Sequence, residues 1–288
     1  VCAGVGLHSG ARVRMAMTPA PVGSGVVFHR TDLDLDDVAV RARYDAVRST
    51  DLGTTLVNDS GASVATVEHL TAALAGVGLD DVIIELDGPE VPAMDGSSAP
   101  FLELIDQVGL QRRPAPRRAI QVLKPVTVKE GGRRAELIPA LRPAIDVTID
   151  FDDVAIGRQS FAFEVSAANF RELIAPARTF GFRRDYEKLT AMGLARGGSM
   201  ENAVVIEEDG VANPEGLRFA DEFVRHKALD ALGDLYLAGA PILGLYKAIR
   251  PGHGLNNRVL HALFADADAW RMVSMREAHA VAETAARG

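Results

Sequence analysis

Residues 221–239 read DEFVRHKALDALGDLYLAG, and the rest of the chain can be arranged around them. His226, Asp230 and Asp234 recur at i, i+4 and i+8. At 3.6 residues per turn each step drifts by only about 40°, so the three side chains share one narrow face of a helix. Lys227 borders that stripe, while Val224, Ala228, Leu229, Ala231, Leu232, Leu235 and Tyr236 take most of the remaining circumference. A helix this apolar is buried on most sides, and buried charges persist when they are paired or bound to a metal. An imidazole and a carboxylate one turn apart can converge on one cation, leaving the second carboxylate to orient a neighbouring group. The plainer reading is a charged helix whose His and Asp residues bond only to one another. The apolar surroundings and the partners found elsewhere in the chain favour the metal.

A chain of 288 residues exceeds the usual size of a single core and argues for two domains. A hydrophobic content of 48% with 24% charged residues belongs to a soluble globular protein. The net charge of −8 offers no basic stripe to offset phosphate repulsion, so nucleic acid is not expected as a partner. No apolar run approaches the roughly 20 residues that cross a bilayer, so no stable membrane insertion is expected. The single Cys2 permits no internal disulfide and suits a reducing cytoplasm. It also leaves any metal to rest on histidine and carboxylate. The chain opens on Val1 rather than Met, which reads as a trimmed start.

Extended segments (VRMAM, GVVFHR, VAVRARY, TTLV) fill residues 5–57, separated by Gly, Pro and Asp turns. GVGLHSG reads as a turn into a strand, with His8 a loop histidine bonded locally rather than a ligand. SVATVEHLTAALAGVG then predicts a helix capped by Ser63 or Thr66, carrying Glu68 and His69 and closed by Gly76 and Gly78. VIIEL predicts a buried strand and FLELIDQVGL a second helix. RRPAPRR follows as the best linker in the chain. Beyond it the order repeats, with three strands, SFAFEV, helical AANFRELI, the His226 helix, a strand at ILGLYKAI and a closing helical stretch. An internal echo supports duplication: Val67, His69 and Gly76 share their spacing with Val224, His226 and Gly233. The two histidines would then occupy equivalent helices meeting at a pseudo-symmetric interface. Residues 178–219 have no counterpart in the first half and read as an inserted strand, short helix and strand that shapes a pocket.

These elements assemble into a chemistry. Two imidazoles and one carboxylate, from His69, His226 and Asp230, leave an open position on a tetrahedral zinc, the arrangement of a hydrolytic site. The same donors also suit iron(II). Glu68, beside a ligand, is placed to take a proton from water, and His253 of GHGLNN to protonate a departing amine with Asp234 orienting its ring. The H-E-x-x-H pattern is absent, so the fold is not that of the familiar metalloproteases.

The segments GVGLHSG, TVEHLTAALAG, VPAMDGSSAPF, ARTFGF, GGSMENA, DEFVRHKALDALGDLYLAG and GHGLNN run through nearly the whole chain. In that order they resemble the UDP-3-O-acyl-N-acetylglucosamine deacetylases, zinc amidases that commit precursors to lipid A. The resemblance implies an α+β fold of two similar domains, residues 1–115 and 116–288. Each would be a small β-sheet packed on a helix pair, the helices sandwiched between the sheets, with one insertion per domain. It implies one zinc on His69, His226 and Asp230, with Glu68 as general base and His253 as the acid or electrostatic partner of the leaving group. Asp234 would orient that histidine, and Thr179 would stabilise the oxyanion. For the substrate, an acylated UDP-amino sugar, it implies contacts from Lys227 and Leu52. Phe180 would line the acyl passage, Phe182 would stack on the nucleotide, and Arg250 would meet the diphosphate. Leu189 and Met200 would extend the passage, or else pack only within the insertion. The enzyme is expected to be a monomer.

Some residues depart from the family's pattern. Its opening strand looks truncated, and Arg250-Pro251 stand where Lys-Ser is common, so that Pro251 could change how His253 is presented. Arg183 and Tyr186 stand where smaller or more apolar residues are expected, which leaves acyl preference open. A rival enzyme reading is a related amidase acting on another acylated amino sugar. A reading from another class is a silent metal-binding or nucleotide-sugar-sensing module. Glu68, Thr179 and His253 argue against it, since a sensor needs neither base nor acid.

Overall fold

Alternation of apolar and charged residues along RVRMAMTP turns Val13 and Met15 inward and Arg12 and Arg14 outward, and the same logic builds both large sheets. A computed structural model describes residues 1–278. The first part of the chain runs through β1 (Cys2–Val5), β2 (Arg12–Pro19), β3 (Val26–Arg30), β4 (Ala39–Arg41), β5 (Val47–Ser49), β6 (Thr55–Val57) and β7 (Ser63–Val64). It continues through α1 (Glu68–Val77), β8 (Val82–Leu86) and α2 (Ala99–Val108). The second part comprises β9 (Arg118–Val122), β10 (Val126–Glu130), β11 (Arg133–Pro139), β12 (Ala144–Asp150), β13 (Arg158–Glu164), α3 (Ala167–Asn169) and β14 (Phe180–Phe182). It ends with α4 (Tyr186–Ala191), β15 (Val204–Glu207), β16 (Gly210–Val211), α5 (Glu222–Tyr236), β17 (Ile242–Ile249), α6 (His253–Ala265) and β18 (Trp270–Ser274).

The first sheet has the order β1-β2-β8-β3-β4, and the second carries β10-β11-β17-β12-β13 with β9 and β18 added beside β17. Parallel pairing occurs at β3 with β8, in register Phe28↔Ile84, and at β12 with β17, in register Val147↔Ala248. A parallel pair needs a long crossover, and here one crossover carries α1 and the other α5. Each also carries a three-stranded sheet, β5-β6-β7 on the first and β14-β15-β16 on the second. The fold is thus mixed α+β, and α5 lies against β12 and β13 while α6 covers β10 and β11. β1 pairs antiparallel with β2 along its four residues, in register Ala3↔Arg14. Among the described residues no helix is long and apolar enough to cross a membrane.

α1 and α5 cross closely, and one of the echoed glycines, Gly233, explains how. A Cβ at Gly233 would lie 2.0 Å from the Glu68 carbonyl oxygen, and Thr71 Oγ1 donates to the Gly233 carbonyl at 3.0 Å. Gly76 does not close α1 as expected. It lies inside the helix, where a Cβ would meet the Phe170 ring at 2.1 Å, and Gly78, at φ 73°, ends it. Nor is α1 capped by Ser63 or Thr66: Ser63 belongs to β7, and the Thr66 hydroxyl donates to Glu90 at 2.8 Å. Burial of the Glu90 carboxylate, which also accepts the His8 and Ser9 N–H groups, outcompetes the cap. Residues 111–116 of the expected linker are exposed and irregular, but Arg117 is tied to Asp80 at 2.8 Å. The strand at ILGLYKAI is followed by helix α6 as expected; β18 then pairs with β9, helix resumes at residues 275–278, and residues 279–288 lie outside the described residues.

Candidate active site

The first turn of α1 and the middle of α5 deliver their ionisable side chains to one buried place. His226 Nδ1 lies 3.1 Å from the Ala177 carbonyl, which takes the Nδ1 proton and leaves Nε2 facing the cluster. His226 Nε2 and His69 Nε2 stand 3.2 and 3.5 Å from the same Asp230 oxygen, Oδ1. The two rings meet edge to face, 4.9 Å apart. Asp230 Oδ2 accepts from Lys227 Nζ at 2.7 Å, but Oδ1 is buried without a hydrogen-bond partner.

An orphaned carboxylate oxygen between two imidazole nitrogens fits a cation. Donors bound tetrahedrally at zinc distances stand about 3.3 Å apart, close to the separations here. Burial pushes His226 below its ordinary pKa and so favours the neutral imidazole that ligates. Burial works against ionisation of Asp230, but His226 and Lys227 hold its carboxyl well below the usual range.

One turn further along α5 a second cluster forms. Asp234 Oδ2 accepts from His253 Nδ1 at 2.9 Å and from Asn256 Nδ2 at 2.8 Å, while Oδ1 accepts the Thr54 hydroxyl at 2.6 Å. Glu68 Oε2 accepts the Thr54 N–H at 2.9 Å, and Oε1 stands 3.8 Å from His253 Nε2. Burial raises the Glu68 carboxyl to about 7, with His253 opposing the shift and Asp234 and Asp230 adding to it. Burial alone would discharge His253, but the Asp234 and Glu68 carboxylates outweigh it and lift the imidazole to about 9. The pair can therefore hold one group able to accept a proton and one able to give it near neutral pH.

The segment before β14 is pinned from beneath. Arg178, 2% exposed, bonds Glu222 on the first turn of α5 through Nε at 2.9 Å and reaches Glu215 through Nη1 at 2.6 Å. Thr179 is half-buried, its N–H donating to Gly96 and its carbonyl accepting from Val204. Phe180 packs edge-on against Phe223 at 5.0 Å, with Lys227 Nζ 5.4 Å from its ring centre. The Arg184 guanidinium covers Phe182 at 4.3 Å. Leu189 is half-buried in α4, Met200 and Leu52 are exposed, and Arg250 is paired with Asp150 at 3.0 Å. Pro251 leaves the contact between His253 and Asp234 intact.

His8 does not bond locally. Its Nε2 lies 3.2 Å from the Leu52 carbonyl and its Nδ1 accepts the Ala195 N–H at 3.3 Å, which joins the first loop to the insertion. Sequence reasoning missed Thr54, Asn256, the Ala177 carbonyl and the Arg178–Glu222 pair. Asn256 carried a signal, standing one turn after His253 at the start of α6. The others act across long stretches of chain.

Residues 1–265 match the family model LpxC, UDP-3-O-acyl N-acetylglycosamine deacetylase. The UDP-3-O-acyl-N-acetylglucosamine deacetylase of Phenylobacterium zucineum is 50% identical over 275 residues, covering 96% of this chain and 94% of that protein. Those of Shewanella violacea and Shewanella frigidimarina are 51% and 50% identical over 273 residues, covering 94% of this chain and 89% of each.

The chain belongs to this deacetylase family.

Membership makes it a metal-dependent hydrolase of lipid A biosynthesis, and two buried groups, His69 with His226 and Asp230 and Glu68 with Asp234 and His253, have donors close enough together to hold a metal ion. Of the segments that carry the resemblance, TVEHLTAALAG, DEFVRHKALDALGDLYLAG and GHGLNN supply side chains of the two buried clusters and ARTFGF supplies the Ala177 carbonyl, while Thr54 lies outside them.

Proposed function

We propose that the chain hydrolyses the N-acetyl group of UDP-3-O-(hydroxyacyl)-N-acetylglucosamine, releasing acetate and a free amine, with one zinc held by His69, His226 and Asp230. The observation that carries this reading is Asp230 Oδ1, buried without a donor between two imidazole nitrogens and next to a carboxylate–imidazole pair. The zinc supplies a Lewis acid that polarises the acetyl carbonyl and acidifies water.

The chain's own residues do the rest. Glu68 accepts a proton from the attacking water at Oε1, the oxygen not engaged by Thr54. His253, charged and oriented by Asp234 through Nδ1, gives a proton from Nε2 to the sugar nitrogen as its bond to the acetyl carbon breaks. Thr179 donates its hydroxyl to the oxyanion. Lys227 contacts the substrate while neutralising Asp230. Phe180, Leu189 and Met200 line the acyl passage, Leu52 contacts the substrate, Phe182 meets the nucleotide, and Arg250 exchanges Asp150 for the diphosphate.

The two halves, residues 1–115 and 116–288, are similar domains that sandwich α1 and α5 between their sheets. The equal strand orders of the two sheets and the echoed His69 and His226 support this. The enzyme acts as a monomer in the cytoplasm on a small-molecule substrate.

Acetate and amine release from the acylated and the unacylated sugar nucleotide tests the proposal. Turnover of the acylated form well above the other is expected. Acetate released equally from both, or from neither, would contradict the substrate assignment.

A further inference from the structure

We propose that Thr54 is a positioning residue for this hydrolysis, fixing the proton acceptor and the proton donor relative to each other. The inference rests on the reading of Glu68 as base and His253 as acid. Thr54 is 1% exposed and precedes β6. Its N–H donates to Glu68 Oε2 at 2.9 Å, its hydroxyl donates to Asp234 Oδ1 at 2.6 Å, and its carbonyl accepts the Val67 N–H at 3.3 Å. Among the described residues no other donates to both carboxylates.

The consequences follow from what a carboxylate can accept. Glu68 has two oxygens, and the backbone of Thr54 engages Oε2, which leaves Oε1 facing His253 Nε2 at 3.8 Å. Asp234 accepts only, so the hydroxyl must be the donor to Oδ1. That bond stops the carboxylate turning about its last torsion and keeps Oδ2 for His253 and Asn256. Because Glu68 belongs to α1 and Asp234 to α5, one small residue ties together groups from both crossovers. Gly53 lets the loop come this close, since a Cβ there would lie 3.1 Å from Glu68 Oε1. Thr54 touches none of the three metal donors in this bonding pattern, so its effect is separable from metal binding.

The test compares Thr54→Val, Thr54→Ala and Thr54→Ser in the full chain, reading zinc affinity, kcat, KM and melting temperature. Valine keeps the shape and the backbone N–H but removes the hydroxyl; serine and alanine differ by that one oxygen. We expect T54V to bind zinc as the parent does with KM changed less than about twofold, and to lose about ten- to a hundredfold in kcat, the order set by one hydrogen bond to a buried charge. T54S should recover most of that loss and T54A should not, a comparison that holds even if T54V folds poorly. Equal kcat for T54S and T54A, or parental kcat in T54V, would overturn the proposal, and so would loss of zinc in T54V. Glu68→Gln with parental turnover would instead overturn the underlying reading of the base, whatever Thr54 does.

Discussion

Replacing Gly233 by alanine should pull the active site apart with one methyl group. The added Cβ would lie 2.0 Å from the Glu68 carbonyl oxygen, 2.8 Å from its carbon and 3.0 Å from Thr71 Oγ1. Two of those atoms are backbone, so no rotamer relieves the overlap, and ordinary contact requires α1 and α5 to separate by roughly 1 Å or more. Overpacking of this kind costs about 1–3 kcal/mol of stability. The chemistry should suffer more, because Glu68 and His69 move with α1 while His226, Asp230 and Asp234 move with α5. A misplacement of about 1 Å can cost on the order of a hundredfold in rate, and zinc affinity should fall with it. Gly76→Ala is the control: its Cβ would strike the Phe170 ring at 2.1 Å, so it should lower the melting temperature but spare zinc binding and kcat. Gly181→Ala, with nothing within 4 Å of its Cβ, should change neither. Calorimetry, competitive zinc titration and acetate release would read all three variants. Parental zinc affinity and kcat in G233A, or equal zinc loss in G76A, would refute the reasoning.

Glu68→Gln should keep its zinc and lose about a hundred- to ten-thousandfold in kcat; loss of the metal instead would make Glu68 a ligand. The Asp234 and Glu68 carboxylates, overcoming burial, hold His253 at about 9, so its protonated form prevails below that pH and is lost above it. A bound dication favours the neutral ring, so the alkaline limb of kcat should lie at or below about 9, and a profile flat through that range would remove His253 as the acid. Leu189→Trp should slow long-chain substrates more than short-chain ones, and equal slowing would take Leu189 out of the acyl passage.

The stripe of His226, Asp230 and Asp234 was legible because a helix converts a spacing of four into a shared face, and β2 and β12 were legible from strict alternation. Local chemistry explains where reading failed. Gly76 looked like a stop, yet it is a packing residue that Phe170, far along the chain, requires to lack a side chain. Thr66 looked like a cap, but a buried Glu90 claims its hydroxyl. His8 and Thr54 act on partners separated by long stretches of sequence, and no spacing rule reports such contacts. The Ala177 carbonyl that orients His226 is backbone, and its place is set by the Arg178–Glu222 pair beside it. The cluster of His69, His226 and Asp230 as candidate metal donors was therefore readable from the sequence, while the residues that hold it in place became visible only in three dimensions.

The most direct test is a titration. Acetate release from UDP-3-O-acyl-N-acetylglucosamine would be followed as zinc is returned in steps to chelated protein, alongside the Asp230→Ala variant. Activity that vanishes on chelation, returns to a plateau at one zinc per chain and is never regained at that loading by D230A is the predicted result. Turnover that survives chelation, or full restoration of D230A at one zinc per chain, would contradict the assignment of His69, His226 and Asp230 as the metal site.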